Sequence, residues 1–225
     1  VNATNAQLPN TVTQEQIDAA LVGRTFKNIL INGAVNINQR SKTYAEVSND
    51  EYWADRWKKV SGGMTQIVED GNYIPSAVYT LSGNGVTTQQ ITSPASGNWT
   101  IPTVPATATN IQLELGDAAT GFDFRFLPLE YFLCQRYYQR IDAEFKFDGI
   151  YGTGSVGYGV SWFLQTAMRT PPSCSVRREN GNNSGNIGIV RPKSNTSVFV
   201  QWQWNNTDNV VSRDRSAVID ADAEL

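Results

Sequence analysis

The chain contains no histidine. That removes a Ser-His-Asp triad, a Cys-His dyad and any imidazole-based zinc site from the chemistry of a single chain. Its 225 residues hold two cysteines, Cys134 and Cys174. These are too few for a zinc cluster or a disulfide framework, and one bridge between them is left open. Charge is sparse, at 17% of residues, and 18 Lys+Arg against 21 Asp+Glu give a net charge of -3. That is the wrong sign for a general nucleic-acid or anionic-membrane binder. No apolar run approaches the roughly 20 residues of a membrane-spanning helix, and no signal-peptide pattern opens the chain. The first residue is Val1 rather than Met, as expected of the C-terminal part of something longer. What is plentiful is aromatic side chains (six Trp, nine Tyr and nine Phe) among Gly, Asn, Thr, Ser and Gln. This is the composition of a β-rich protein with a polar surface.

Residues 1–12 are polar and aperiodic and read as a linker. Thr13 and Gln16 form a capping-box pattern, Ile17, Ala20 and Leu21 an apolar stripe, and Gly23 a stop. Residues 14–22 are therefore expected to form a short helix. It is too short to stand alone and suits packing against its own copies in an oligomer. From residue 28 the period changes to two. Val35 and Ile37 alternate with Asn36 and Asn38, which predicts a half-buried strand. "MTQIVEDGNYIPSAVYTLSGNG" predicts two strands around an Asp-Gly-Asn turn, then a Gly-Asn-Gly turn. "TTQQITS", "NWTIPTV" and "NIQLELG" add short strands spaced as in a sandwich or jelly roll.

The pattern breaks at "FLPLEYFLCQRYY", where Leu129, Phe132, Leu133 and Tyr137 have helical spacing and Pro128 suits a first turn. A short helix is predicted over residues 129–136. Alternation then resumes, with Tyr137, Gln139, Ile141 and Ala143 on one face and Tyr138, Arg140, Asp142 and Glu144 on the other. "VGYGVSWFLQTAM", "SVFVQWQWNN" and "SAVIDADAEL" read as further strands, and "RRENGNNSGN" as a long polar loop. The fold class expected is all-β: two β-sandwich or jelly-roll-like units joined by a short helix, with a short N-terminal helix. The divisions are residues 1–27 for linker and helix, 28–127 for the first unit and 128–225 for the second.

Four features could carry chemistry. Gly152, Gly154 and Gly157 spell G-x-G-x-x-G, but a strand pattern follows where a dinucleotide site needs a helix. Carboxylate pairs suited to glycoside hydrolysis are Asp50 with Glu51 and Asp55, Asp142 with Glu144, and Asp220 with Asp222. Arg140 and Lys146 flank the second pair, as in a solvated charge ladder. Cys134 lacks a nearby base and reads as a packed thiol. Trp162 and Trp202 fall on apolar faces. Trp53, Trp57, Trp99 and Trp204 lie at strand ends, where an aromatic ring either packs or stacks on a sugar. The carbohydrate-contacting candidates are Asn182, Asn183 and Asn186 in one polar stretch and Trp204, Asn205, Asn206 and Asp208 in another. No metal site, cofactor or catalytic residue is expected.

"KNILINGAVNINQR" followed by "YWADRW" resembles the opening of β jelly-roll modules found near the ends of bacteriophage tail fibres and related virion proteins. The matching positions include Asn32, Gly33, Gln39, Arg40, Asp55, Arg56 and Trp57. The usual exit of such modules resembles residues 111–116, 119–125 and the cluster Cys134, Gln135, Arg136, Tyr137 and Tyr138. The resemblance covers residues 28–225, with a shorter stretch between Trp57 and Ile111 than is usual. It implies a virion fibre or spike component, a homotrimer joined to other fibre or baseplate proteins. Such a component acts outside the cell by binding host capsule or lipopolysaccharide, without catalysis, nucleic acid or membrane insertion. A polysaccharide-cleaving tailspike and a purely structural fibre or head-decoration protein are the alternatives. The matched residues are expected to be structural, with Asp55 and Arg56 as a buried pair and Trp57 as a core anchor.

Overall fold

The computed structural model describes residues 27–148, 154–181, 185–206 and 212–225. The linker and short helix expected before residue 27 lie outside them. The described chain is all-β apart from one α-helix and a 3-10 turn, and every strand pairing is antiparallel.

The N-terminal part contains β1 (Tyr52–Ala54), β2 (Trp57–Val60) and β3 (Gly63–Thr65), which form one sheet. Next come β4 (Ile67–Val68), β5 (Val78–Asn84), β6 (Gln89–Thr92), β7 (Trp99–Thr100) and β8 (Thr109–Leu115). β4 pairs with β7, and β5 lies between β6 and β8. These small sheets enclose one core, containing Leu30, Trp57, Met64, Tyr79, Leu81 and Leu113. Trp99 is buried in the same core, edge-on to Tyr73 and Tyr79 at 5.5 and 5.2 Å. Trp57 and Trp99 are thus packing residues, not sugar platforms; Trp53 packs half-buried against the core's rim.

The strand predicted around Val35 and Ile37 does not form; residues 31–34 are a turn and the following residues lack a ladder partner. The cause is Asn32. Its Oδ1 accepts from the backbone N–H groups of Asn36 and Ile37, both at 3.0 Å. Its Nδ2 donates to the carbonyls of Ile37 and Asp55, both at 2.9 Å. A single side chain thereby takes the backbone groups that a neighbouring strand would have paired. Ile37 is still buried, so the alternation marked burial without marking a strand.

Helix α1 spans Leu127–Gln135, with Pro128 in its first turn. Its buried residues are Glu130, Cys134 and Gln135, whereas Phe132 is exposed. Of the stripe expected from the spacing, Tyr137 is buried and Leu129 and Leu133 are half-buried, but Phe132 turns to the surface and polar Glu130 and Gln135 share the inner face. After it come β9 (Tyr138–Asp148), β10 (Gly154–Phe163), β11 (Ser173–Gly181), β12 (Gly185–Ser194), β13 (Ser197–Asn206) and β14 (Ser212–Asp222). One sheet runs β11-β14-β9 and the other β10-β13-β12. Both feed one core: Val198 and Val200 from β13 meet Ala217, Ile219 and Ala221 from β14, with Met168 beside them. This is a sandwich of two three-stranded layers. The long loop expected at "RRENGNNSGN" is mostly strand, since β11 continues to Gly181 and β12 begins at Gly185. Gly154 and Gly157 lie in β10, with no helix after them.

Candidate functional site

The residues matched to the fibre modules converge on a polar joint between the two cores. Asp55 and Arg56 form the two-residue connection of the β1–β2 hairpin, bracketed by the Ala54–Trp57 pair. Arg56 holds φ at 70°, a left-handed conformation unfavourable for a side chain with a Cβ. Its neighbours fix it there. The Arg56 guanidinium donates to the Glu224 carboxylate and the Ile67 carbonyl, and lies 3.6 Å from the centre of the Tyr137 ring. Arg40 mirrors this arrangement, 3.8 Å over Tyr138, with Asp222 at 3.1 Å, Glu224 at 3.5 Å and Asp55 at 3.6 Å. Two consecutive tyrosines after the helix thus each carry one arginine of the N-terminal part.

The expected Asp55–Arg56 ion pair is replaced by a crossed arrangement: adjacent side chains on the hairpin diverge to different partners. Asp55 accepts from the Gln39 amide at 2.5 Å and the Gln39 backbone N–H at 3.1 Å. Trp57 serves as the expected anchor, fully buried with its indole N–H donating to the Asn32 carbonyl at 2.8 Å. Gly33 is required because a Cβ there would collide with the Ile111 carbonyl. Glu130 accepts from Arg125 at 2.7 Å and from the Asn32 backbone N–H. Arg125 also donates to the carbonyls of Asn28, at 2.7 Å, and Leu30.

The electrostatics follow from this burial. Removal from water pushes the Asp55 pKa up, against the Gln39 hydrogen bonds and Arg40, which pull it down. Burial opposes the Arg40 and Arg56 charges, but facing carboxylates, chiefly Glu224, outweigh it and raise both pKa values. Glu69 is the outer member. Its partial burial is overcome by hydrogen bonds from Arg136 at 3.1 Å and Tyr137 at 3.0 Å, so its pKa is held below the ordinary glutamate value. Both cysteines are free. Burial lifts the Cys134 thiol well above its usual range and Cys174 to about 11, so both resist ionisation.

Several carboxylates considered for hydrolysis have structural partners. Asp222 faces Arg40, Asp220 accepts from the Tyr138 hydroxyl at 2.5 Å, and Asp142 lies 3.5 Å from Arg140. Among the described residues no group of three or more acidic or cysteine side chains could hold a metal.

The sugar-contacting candidates lie away from the joint. β9, β11 and β13 run toward the end of the sandwich at which β10, β12 and β14 begin. There Trp204 pairs with both Val156 and Gly185, Asn205 with Ser155, Asn206 with Gly154, and Asn186 with Gln203. The backbone register thus brings Asn186, Trp204, Asn205 and Asn206 to one end. Asn182, Asn183 and Asp208 lie outside the described residues. The opposite end carries Tyr138 and Asp222 into the joint. Sequence reasoning missed Glu69, Glu130 and Glu224 as joint members; Glu130 stands just before "CQRYY" and Glu224 ends "DADAEL", but Glu69 in "IVED" carried no local signal.

No family model matches the chain, and no curated protein or solved structure matches it.

Proposed function

We propose that this chain is a non-catalytic display component of a virion fibre or spike, binding polysaccharide on a host cell surface. What supports this reading is the polarity of the C-terminal sandwich. One end is locked by buried ion pairs and Tyr–Arg stacking to the preceding unit, while the other gathers the strand ends bearing Asn186, Trp204, Asn205 and Asn206. A fixed base with an Asn- and Trp-bearing far end suits an adhesion tip. Amides bond sugar hydroxyls and an indole face packs against the apolar C–H side.

The assembly in this reading is a homotrimer held by further fibre or baseplate proteins. The exposed aromatics Phe124, Phe126 and Phe132 lie close in sequence, with Phe124 and Phe126 edge-to-face at 6.5 Å. The chain arrives beside them, because the Lys27 N–H donates to Asp123 at 2.7 Å. Contiguous exposed apolar surface of this kind supports self-association. Individual glycan contacts are weak, and three linked tips supply avidity.

The test is incubation with purified capsule and lipopolysaccharide, followed by a binding readout and a reducing-end assay. Saturable binding without released oligosaccharide is the expected outcome. Release would instead establish a depolymerising tailspike, and absence of binding would favour a structural component.

A further inference from the structure

We infer that the seam between the two units contains a second carbohydrate site, for a neutral sugar residue, separate from the far end of the sandwich. A cleft of about 750 Å³ lies there, within the size range of small-ligand sites and at a junction between units, where such sites concentrate. Three elements build it: the Asn32-tethered segment supplies Asn36, Asn38 and Gln39, helix α1 supplies Tyr131, and the sandwich supplies Arg140 and Gln165.

The chemistry is that of a polyol site. Gln39 is the buried polar member, 9% exposed. Its Nε2 faces two acceptors, Asp55 Oδ2 at 2.5 Å and the Tyr138 carbonyl at 3.0 Å, which fixes the amide orientation. Its Oε1 meets no donor among the described residues and is sealed from solvent, so the groups open to a ligand are those at the rim. Tyr131, exposed at the rim, offers a ring face for the C–H side of a pyranose, Asn36 offers an exposed amide, and Asn38, whose Nδ2 donates to the Lys42 carbonyl at 2.6 Å, offers its Oδ1 as an acceptor. Charge decides the class of sugar. Arg140 is already matched by Asp142 at 3.5 Å, which also lines the cleft. With no uncompensated cation there, a neutral sugar is favoured over an acidic one.

This inference rests on the attachment reading but is separable from it. The probes are the methyl glycosides of glucose, galactose, mannose and N-acetylglucosamine, with methyl glucuronide as the acidic control, titrated by saturation-transfer NMR. At least one neutral glycoside binds more tightly than the glucuronide. Tyr131→Ala and Asn36→Trp each weaken that binding by about tenfold or more. Thr88→Ala, at an exposed position outside the cleft, leaves it within about twofold. Tyr131 and Asn36 are exposed, so thermal melts are expected to show folded variants, and Arg140→Ala is a third cleft variant should either melt early. The inference is overturned if no neutral glycoside binds, if the glucuronide binds more tightly, or if the cleft variants bind as the wild type does. In parallel, binding to immobilised polysaccharide that survives the cleft variants but is lost in Trp204→Ala would retain attachment at the far end and reject the cleft.

Discussion

Arg56 concentrates the physics of the joint in one side chain. It is 1% exposed, holds a left-handed backbone and faces Glu224, whose side chain is 4% exposed. Truncating one member of a buried ion pair leaves the other charge without compensation, at a cost of about 3–5 kcal/mol. Arg56→Ala is therefore expected to lose about that much stability in urea unfolding; a loss under about 1 kcal/mol would mean the pair is solvated. Asn32 is the neutral counterpart. Asn32→Ala strips partners from two carbonyls and two backbone N–H groups. The expected cost is about 2–4 kcal/mol, from several hydrogen bonds worth roughly 1 kcal/mol each. Hydrogen exchange should show the N–H groups of Asn36 and Ile37 losing protection; retained protection would contradict the role given to Asn32.

At the scale of elements, the C-terminal residues act as a strap. The Ala223 N–H donates to the Tyr137 carbonyl at 2.8 Å, Glu224 engages Arg56, and the Leu225 carbonyl accepts from the Tyr52 hydroxyl at 2.7 Å. Deleting residues 222–225 should split thermal unfolding into two transitions, whereas a single unchanged transition would show that the strap does not couple the units. Acid acts on the joint through Glu69. Its folded pKa is lowered, so its contacts with Arg136 and Tyr137 add stability that is fully present above the ordinary glutamate value. That stability is lost as pH falls through the lowered folded value. Glu69→Gln should flatten the acid limb of a stability–pH profile, and an unaltered limb would count against this coupling. Asp55 works in the opposite sense: its raised pKa makes its ionisation a cost that appears as pH rises through the folded value. The helix shows why the joint was only partly legible in the sequence. Its position was readable from Pro128 and the change of period, but only part of its inward face was. Spacing locates a face, and only the Arg125 and Asn32 partners explain why Glu130 occupies it.

Over the whole molecule, the all-β class and most strand positions were legible because turn residues and alternation act locally. The crossed pairing of Arg40 and Arg56 was not, since Asp222 and Glu224 lie more than 160 residues away along the chain. Likewise, "QR", "DRW" and "RYY" were visible as motifs, but their meeting point was not. Assembly belongs to this scale as well. If the proposed trimer forms through these rings, Phe126→Ser with Phe132→Ser should convert it to a monomer by light scattering while preserving the circular dichroism spectrum; a wild type that is already monomeric would contradict the assembly, and an unchanged trimeric mass would place the contact elsewhere. The most direct test of the proposed function is binding of the intact protein to an array of bacterial surface polysaccharides, with soluble products assayed in parallel. The account predicts saturable, avidity-dependent binding to at least one polysaccharide with no release of oligosaccharide. Binding to none of them, or cleavage of the one bound, would contradict it.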